Sequence, residues 1–136
     1  MNEVFLDASY AIALSSPNDK YHEAAVLLAH KLQENQTKLI TTRAILLEIE
    51  NALSKQKFRS AAVQLLIAIE ADPNIEIIEL DAQLYLNALK LFRERPDKGW
   101  GLTDCTSFVV MDKYGLQNAL TADHHFEQAG FTKLLD

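Results

Sequence analysis

The sequence predicts an α/β protein, a single-domain three-layer α/β/α arrangement around a mostly parallel sheet. Three observations lead there. Short apolar runs alternate with longer segments of helical periodicity from one end of the chain to the other, the pattern of strands joined by crossover helices and covered on both faces. The 136 residues are nearly half apolar and about a quarter charged, enough to bury one core. No repeat, low-complexity stretch or linker divides the chain, so residues 1–136 read as one domain.

Each element has its own warrant. Val4-Phe5-Leu6, closed by Asp7, reads as a buried strand, and Ala8 to Leu14 as a short helix before the turn Ser15-Ser16-Pro17-Asn18-Asp19. From Tyr21 to about Asn35, Ala24, Ala25, Leu27, Leu28 and Leu32 recur at helical spacing. Leu39-Ile40 is a second strand, and Thr41-Thr42 are good caps for a helix over about Arg43 to Ser54. A break at Lys55-Gln56-Lys57 precedes a helix over Phe58 to Ala71, stopped by Asp72-Pro73-Asn74. The β-branched, partly alternating run Ile75 to Leu80 is a strand, and Asp81 caps a helix over Ala82 to Arg93. Arg95 to Gly101 is the longest loop signal. A helix from about Asp104 to Tyr114 then ends at Gly115, as a C′ glycine would end it. Ala119-Leu120-Thr121, His124 to Ala129 and Phe131 to Leu134 complete the order as strand, helix and strand.

Composition narrows the function. A single cysteine, Cys105, rules out an intramolecular disulfide. The start of the chain lacks the basic region of a signal peptide, and no run approaches the roughly 18 apolar residues of a membrane span, so a soluble cytoplasmic protein is expected. Thirteen Lys and Arg against nineteen Asp and Glu give a net charge of −6, which argues against an extended grip on a polyanion. The objection weakens if several carboxylates share one metal site, because the remaining surface is then close to neutral.

The acidic residues fall where such a site would form. Open parallel sheets keep their chemistry beyond the carboxyl ends of the strands, where strand order reverses. Asp7 ends the first strand, Asp123 follows the strand closing at Thr121, and Asp104 opens a helix after a Gly-rich loop. Each could instead be an N-cap, worth about 1 kcal/mol. In the helix from Arg43, residues Ile45, Ile49 and Leu53 set the apolar face, and Glu48 and Glu50 flank it about equally. Periodicity leaves both open. The case for a cluster is chemical. Hard divalent ions want hard oxygen ligands, and Mg²⁺ or Mn²⁺ so held can activate water against a phosphodiester. Converging carboxylates without a cation repel one another strongly.

Five motifs in order resemble the PIN-domain nucleases, in particular the VapC-like toxins of toxin–antitoxin pairs. They are Val4-Phe5-Leu6-Asp7-Ala8-Ser9, Asn18 to Ala25, Thr41-Thr42 with Leu47-Glu48-Ile49-Glu50-Asn51-Ala52-Leu53, Leu102-Thr103-Asp104-Cys105-Thr106-Ser107-Phe108, and Leu120-Thr121-Ala122-Asp123-His124-His125-Phe126. The resemblance covers nearly the whole chain. It implies a PIN-like fold and a metal-binding catalytic set of Asp7, Glu48, Asp104 and Asp123, with Ser9 as a supporting hydroxyl. The family's glutamate lies three residues before the asparagine, which selects Glu48 over Glu50. The resemblance further implies an Mg²⁺- or Mn²⁺-dependent endoribonuclease acting on tRNA, rRNA or mRNA, a homodimer, and an antitoxin partner that blocks the site. One departure is Ala122, where some members carry a further acidic residue.

Other readings are weaker. His22 reads as a helix-start packing residue, His30 as surface, and His124 and His125 as candidates for substrate contact. Cys105 reads as a small core hydrophobe, and Asp112 and Glu127 as exposed. Lys55, Lys57 and Arg59 form one basic group and Arg93, Arg95 and Lys98 another, with Arg43 a third candidate for RNA phosphates; helix ends explain them equally well. An aspartate phosphotransferase would want an acid where Ser9 stands, and a receiver-like domain would want an acidic pair near the first strand. A catalytically silent PIN-like module that binds RNA or protein is the remaining rival.

Overall fold

The computed structural model describes residues 2–136. Five strands form one sheet: β1 (Glu3–Leu6), β2 (Lys38–Thr42), β3 (Ile75–Ile78), β4 (Asn118–Leu120) and β5 (Thr132–Lys133). All neighbours are parallel, in the order β3-β2-β1-β4-β5. The central strand β1 registers Phe5 against Ile40 on one side and Ala119 on the other. Val4, Phe5, Ile40, Ala119 and Leu120 are fully or almost fully buried, as expected for strands covered on both faces.

Seven helices make the crossovers: α1 (Ala8–Ser15), α2 (His22–Glu34), α3 (Arg43–Ala52), α4 (Gln56–Ala71), α5 (Ala82–Glu94), α6 (Leu102–Lys113) and α7 (His124–Gln128). Thr42 caps α3 by accepting from the Ile45 amide, and Asp81 caps α5 by accepting from that of Leu84. Gly115, at φ 65°, follows the end of α6, and Gly130, at φ 95°, follows α7, positions a Cβ would strain. Ile45, Ile49 and Leu53 face the core from α3, and Cys105 is buried within α6.

Three boundaries differ from the sequence reading. Helix α6 starts at Leu102, two residues before Asp104, because Gly101 takes the N-cap conformation and Asp104 becomes the third helical residue. Strand β3 stops at Ile78, because Ile78 registers against Thr42, where its partner β2 ends and α3 is capped. The last strand shrinks to Thr132–Lys133. Among the described residues, no helix is long and apolar enough to cross a membrane.

Candidate metal centre

The chain order reverses between β1 and β4, since the first three strands build outward on one side of β1 and the last two on the other. A crevice forms at such a point. Asp7 leaves the carboxyl end of β1 there, and Asp123 lies three residues beyond β4.

Asp7 is 6% exposed. It stands at the N-cap position of α1 without making a side-chain cap. Its Oδ2 instead accepts from the Thr121 hydroxyl at 2.7 Å and the Ser9 hydroxyl at 3.1 Å. The same hydroxyls reach onward: Thr121 Oγ1 accepts from the Asp123 amide at 3.0 Å, and Ser9 Oγ from the Ala122 amide at 3.1 Å. Ser9 thus plays the supporting part the resemblance implied. Thr121 plays a larger one that the sequence reading did not assign, although its motif contained it.

Asp104 sits on the first turn of α6, where Oδ2 accepts from the Gly101 amide at 3.2 Å and lies 3.0 Å from His125 Nδ1. Asp123 is a genuine cap: its Oδ1 accepts from the His125 amide at 2.9 Å. His125 Nδ1 is also 3.4 Å from that oxygen, so one imidazole spans two carboxylates from different helices. His124 and His125 offer further donor atoms within 4.8 Å of Asp123. Sequence could nominate His125 only by its place beside Asp123; its contact with Asp104 spans 21 residues.

Glu48 projects from α3 toward the three aspartates. Burial and then the charges of Asp7, Asp104 and Asp123 push its carboxyl up to about 7. Burial, with a further contribution from Asp123, also raises Asp7 against the lowering pull of its hydroxyl partners. Asp104 is raised by burial and Asp123, with the Gly101 amide and His125 opposing. Asp7, Glu48, Asp104 and Asp123 thus lie near enough for their charges to act on one another, with burial the leading cause of each raised value and repulsion the part a divalent cation would relieve. The carboxylates supply the hard oxygen donors that Mg²⁺ or Mn²⁺ takes, with the imidazoles of His124 and His125 beside them. Glu50 is exposed and Glu48 half-buried, and it is Glu48 on which the charges of Asp7, Asp104 and Asp123 act. Glu48 also borders a hollow of about 290 Å³ with Leu47, Asn51, Leu80 and Thr103.

The basic residues fare unevenly. Arg43 is bound to Glu70 and to Glu79, the latter at 2.7 Å, so it is a tie between α4 and the end of β3 instead of a free phosphate ligand. Arg59 donates to the Ser54 carbonyl, and Arg95 pairs with Asp97 at 3.0 Å. Lys55 and Lys57 remain exposed. His22 packs as expected, its Nδ1 2.8 Å from the Ala13 carbonyl, and His30, Asp112 and Glu127 are exposed.

A parallel sheet in this order, with acidic groups converging at its reversal, is the architecture of the PIN domain, and the PIN-domain family model matches residues 4–132; the chain belongs to that family. It is 28% identical over 131 residues to the 23S rRNA-specific endonuclease VapC20 of Mycobacterium tuberculosis, covering 96% of this chain and 97% of that protein. The crystal structure of M. tuberculosis VapC20, described as a Sarcin-Ricin loop cleaving toxin, superposes with a TM-score of 0.84 at 27% identity, over 98% of this chain and 99% of that one. VapBC2 from Rickettsia felis, solved with a DNA fragment from its promoter, shares the fold at a TM-score of 0.69 and 17% identity, with 98% and 99% of the two chains covered.

Proposed function

We propose that this chain is a metal-dependent endoribonuclease that hydrolyses RNA phosphodiester bonds, the toxin of a toxin–antitoxin pair acting in the cytoplasm. Asp7, Glu48, Asp104 and Asp123 form its ion-holding catalytic set, with Mg²⁺ or Mn²⁺ as the ion. The observation that carries the reading is the gathering of acidic groups where strand order reverses, with the Glu48 carboxyl raised to about 7 by burial first and then by the charges of Asp7, Asp104 and Asp123. The kinship with VapC20 supplies the substrate class.

A divalent cation bound there would lower the pKa of an attacking water and stabilise the departing oxygen. The chain's own residues do the positioning. The Ser9 and Thr121 hydroxyls hold Asp7 in one orientation. The start of α7 fixes Asp123 through the His125 amide, and the His125 ring holds Asp104 toward the same point. Glu48 gives up its proton when a cation takes over the repulsion. No covalent intermediate with the enzyme is needed.

A homodimer and an antitoxin partner belong to the same proposal. Exposed apolar residues on α4 (Val63, Ile67) and α5 (Leu86, Phe92) offer surface for both. The decisive experiment is chelation followed by Mn²⁺ re-addition, with RNA digestion and melting temperature read together. Digestion should vanish and return with the ion, and Asp7→Asn or Asp104→Asn should abolish it while the fold persists. Cleavage that survives chelation would refute the assignment.

A further inference from the structure

A second hollow, of about 310 Å³, lies between the 95–101 loop, α6 and α7. Aromatic rings form its walls. Phe108 packs edge-on to Trp100 with centroids 5.0 Å apart and lies 5.8 Å from Phe131. Arg95, held by Asp97, places its guanidinium 5.2 Å from the Trp100 ring centroid. Leu91, Val109 and Ala129 add aliphatic surface, and Asp112 and Gln128 add two further polar side chains. Gln128 Oε1 accepts from Trp100 Nε1 at 3.0 Å, which leaves its amide NH₂ to donate. Among the described residues the Asp112 carboxylate has no hydrogen-bond or ion-pair partner.

We propose that this hollow takes a guanine base of the RNA strand cut at the acidic centre; the inference rests on the reading of the chain as a ribonuclease. Trp100 and Phe108 are buried, and the half-buried Phe131 ring and Arg95 guanidinium are the planes an unstacked base can pack against. An unpaired carboxylate repels phosphate and asks for donors, and guanine alone among the four bases offers two adjacent donors, N1–H and N2–H₂, on its pairing edge. Its O6 then accepts from the Gln128 amide. A purely apolar ligand would leave both polar groups unpaired.

The hollow is built on the same two helices, α6 and α7, that carry Asp104 and His125. Asp104, Phe108 and Asp112 follow one another at every fourth residue along one ridge of α6. On α7, His125 meets Asp104 and, three residues on, Gln128 meets Trp100. Acidic centre and hollow are thus two stations along the same pair of helices, with Asp104 and Asp112 about 12 Å apart along the helix axis at 1.5 Å per residue. A strand whose scissile phosphate sits at the first station can lay a nearby base in the second.

Trp100 is the only tryptophan in the sequence, so its emission reports on the hollow. The full chain, in EDTA, is titrated with GMP, with AMP, and with short single-stranded RNAs that differ only in containing or lacking guanine. The guanine-containing RNA should change the emission and bind about tenfold tighter than its guanine-free counterpart, the discrimination of one bidentate contact. Asp112→Asn, an exposed position whose folding is checked by its melting temperature, should erase that preference. Equal binding of all RNAs, or a preference untouched by Asp112→Asn, overturns the proposal. GMP binding as tightly as the guanine-containing RNA overturns the assignment to the substrate strand, giving the site to a free nucleotide. Metal is absent throughout, so failure here is separate from failure of Mn²⁺-dependent cleavage.

Discussion

Asp7 and Asp123 occupy the same kind of position, the residue before a helix, yet their carboxylates do opposite work. Asp123 caps its helix, whereas Asp7 makes no cap and accepts from two hydroxyls, that of Thr121 just past β4 and that of Ser9 in the first turn of α1. Replacing Asp123 with Ala should therefore cost about 1 kcal/mol of stability. Asp7→Asn in metal-free buffer should leave the melting temperature unchanged or raised, because a charge strained by burial and repulsion is gone. Thr121→Val removes a buried donor from a charged acceptor and should cost on the order of 1.5–3 kcal/mol in urea unfolding. Glu48 gives a pH signature. Its folded-state pKa of about 7 stands above its ordinary 4.5, so the folded protein holds a proton that the unfolded chain releases. Its contribution is fully present below about pH 4.5 and is lost as pH rises through 7. In EDTA, melting temperatures across that window should fall less steeply for Glu48→Gln than for the parent.

At the scale of the element, the carboxylate positions and the strand–helix alternation were legible in the sequence because both are local. Period-two and period-3.6 patterns are written into short windows, and a strand end marks itself with a polar residue. What was not legible is what a window cannot contain. Asp104 has a cap's composition, but the extended backbone of Gly101 takes that place and moves Asp104 one turn inward. Arg43 looked like a free cation because Glu70 and Glu79 lie 27 and 36 residues away. The Thr121 and His125 contacts cross 114 and 21 residues. Arg43→Met tests how much such a tie is worth: as a partly exposed ion pair it should cost no more than about 1 kcal/mol, leaving α4 in place by hydrogen exchange.

Across the whole molecule, a net charge of −6 and a polyanionic substrate are reconciled only if the acidic centre is neutralised from outside. Adding Mn²⁺ to the apo protein should therefore raise the melting temperature as well as restore cleavage, and the rise should shrink in any variant lacking one of the four carboxylates. Like Arg93, the exposed Lys55 and Lys57 carry no ion pair among the described residues, which leaves these two lysines able to meet RNA. Reversing both charges should weaken RNA binding and flatten its salt dependence; an unchanged slope of affinity against salt would exclude them from the interface.

The pairing of β1 with β4 has a temporal side. Phe5 and Leu6 find their partners Ala119 and Leu120 only after more than a hundred intervening residues, and Asp104 and Asp123 arrive later still than Asp7 and Glu48. Chains emerge from the ribosome one residue at a time, at about 5–20 per second. A nascent copy thus spends most of its synthesis with half of its acidic quartet unmade. An enzyme that cuts RNA can in this way be built without a complete acidic centre until residue 123 has been added.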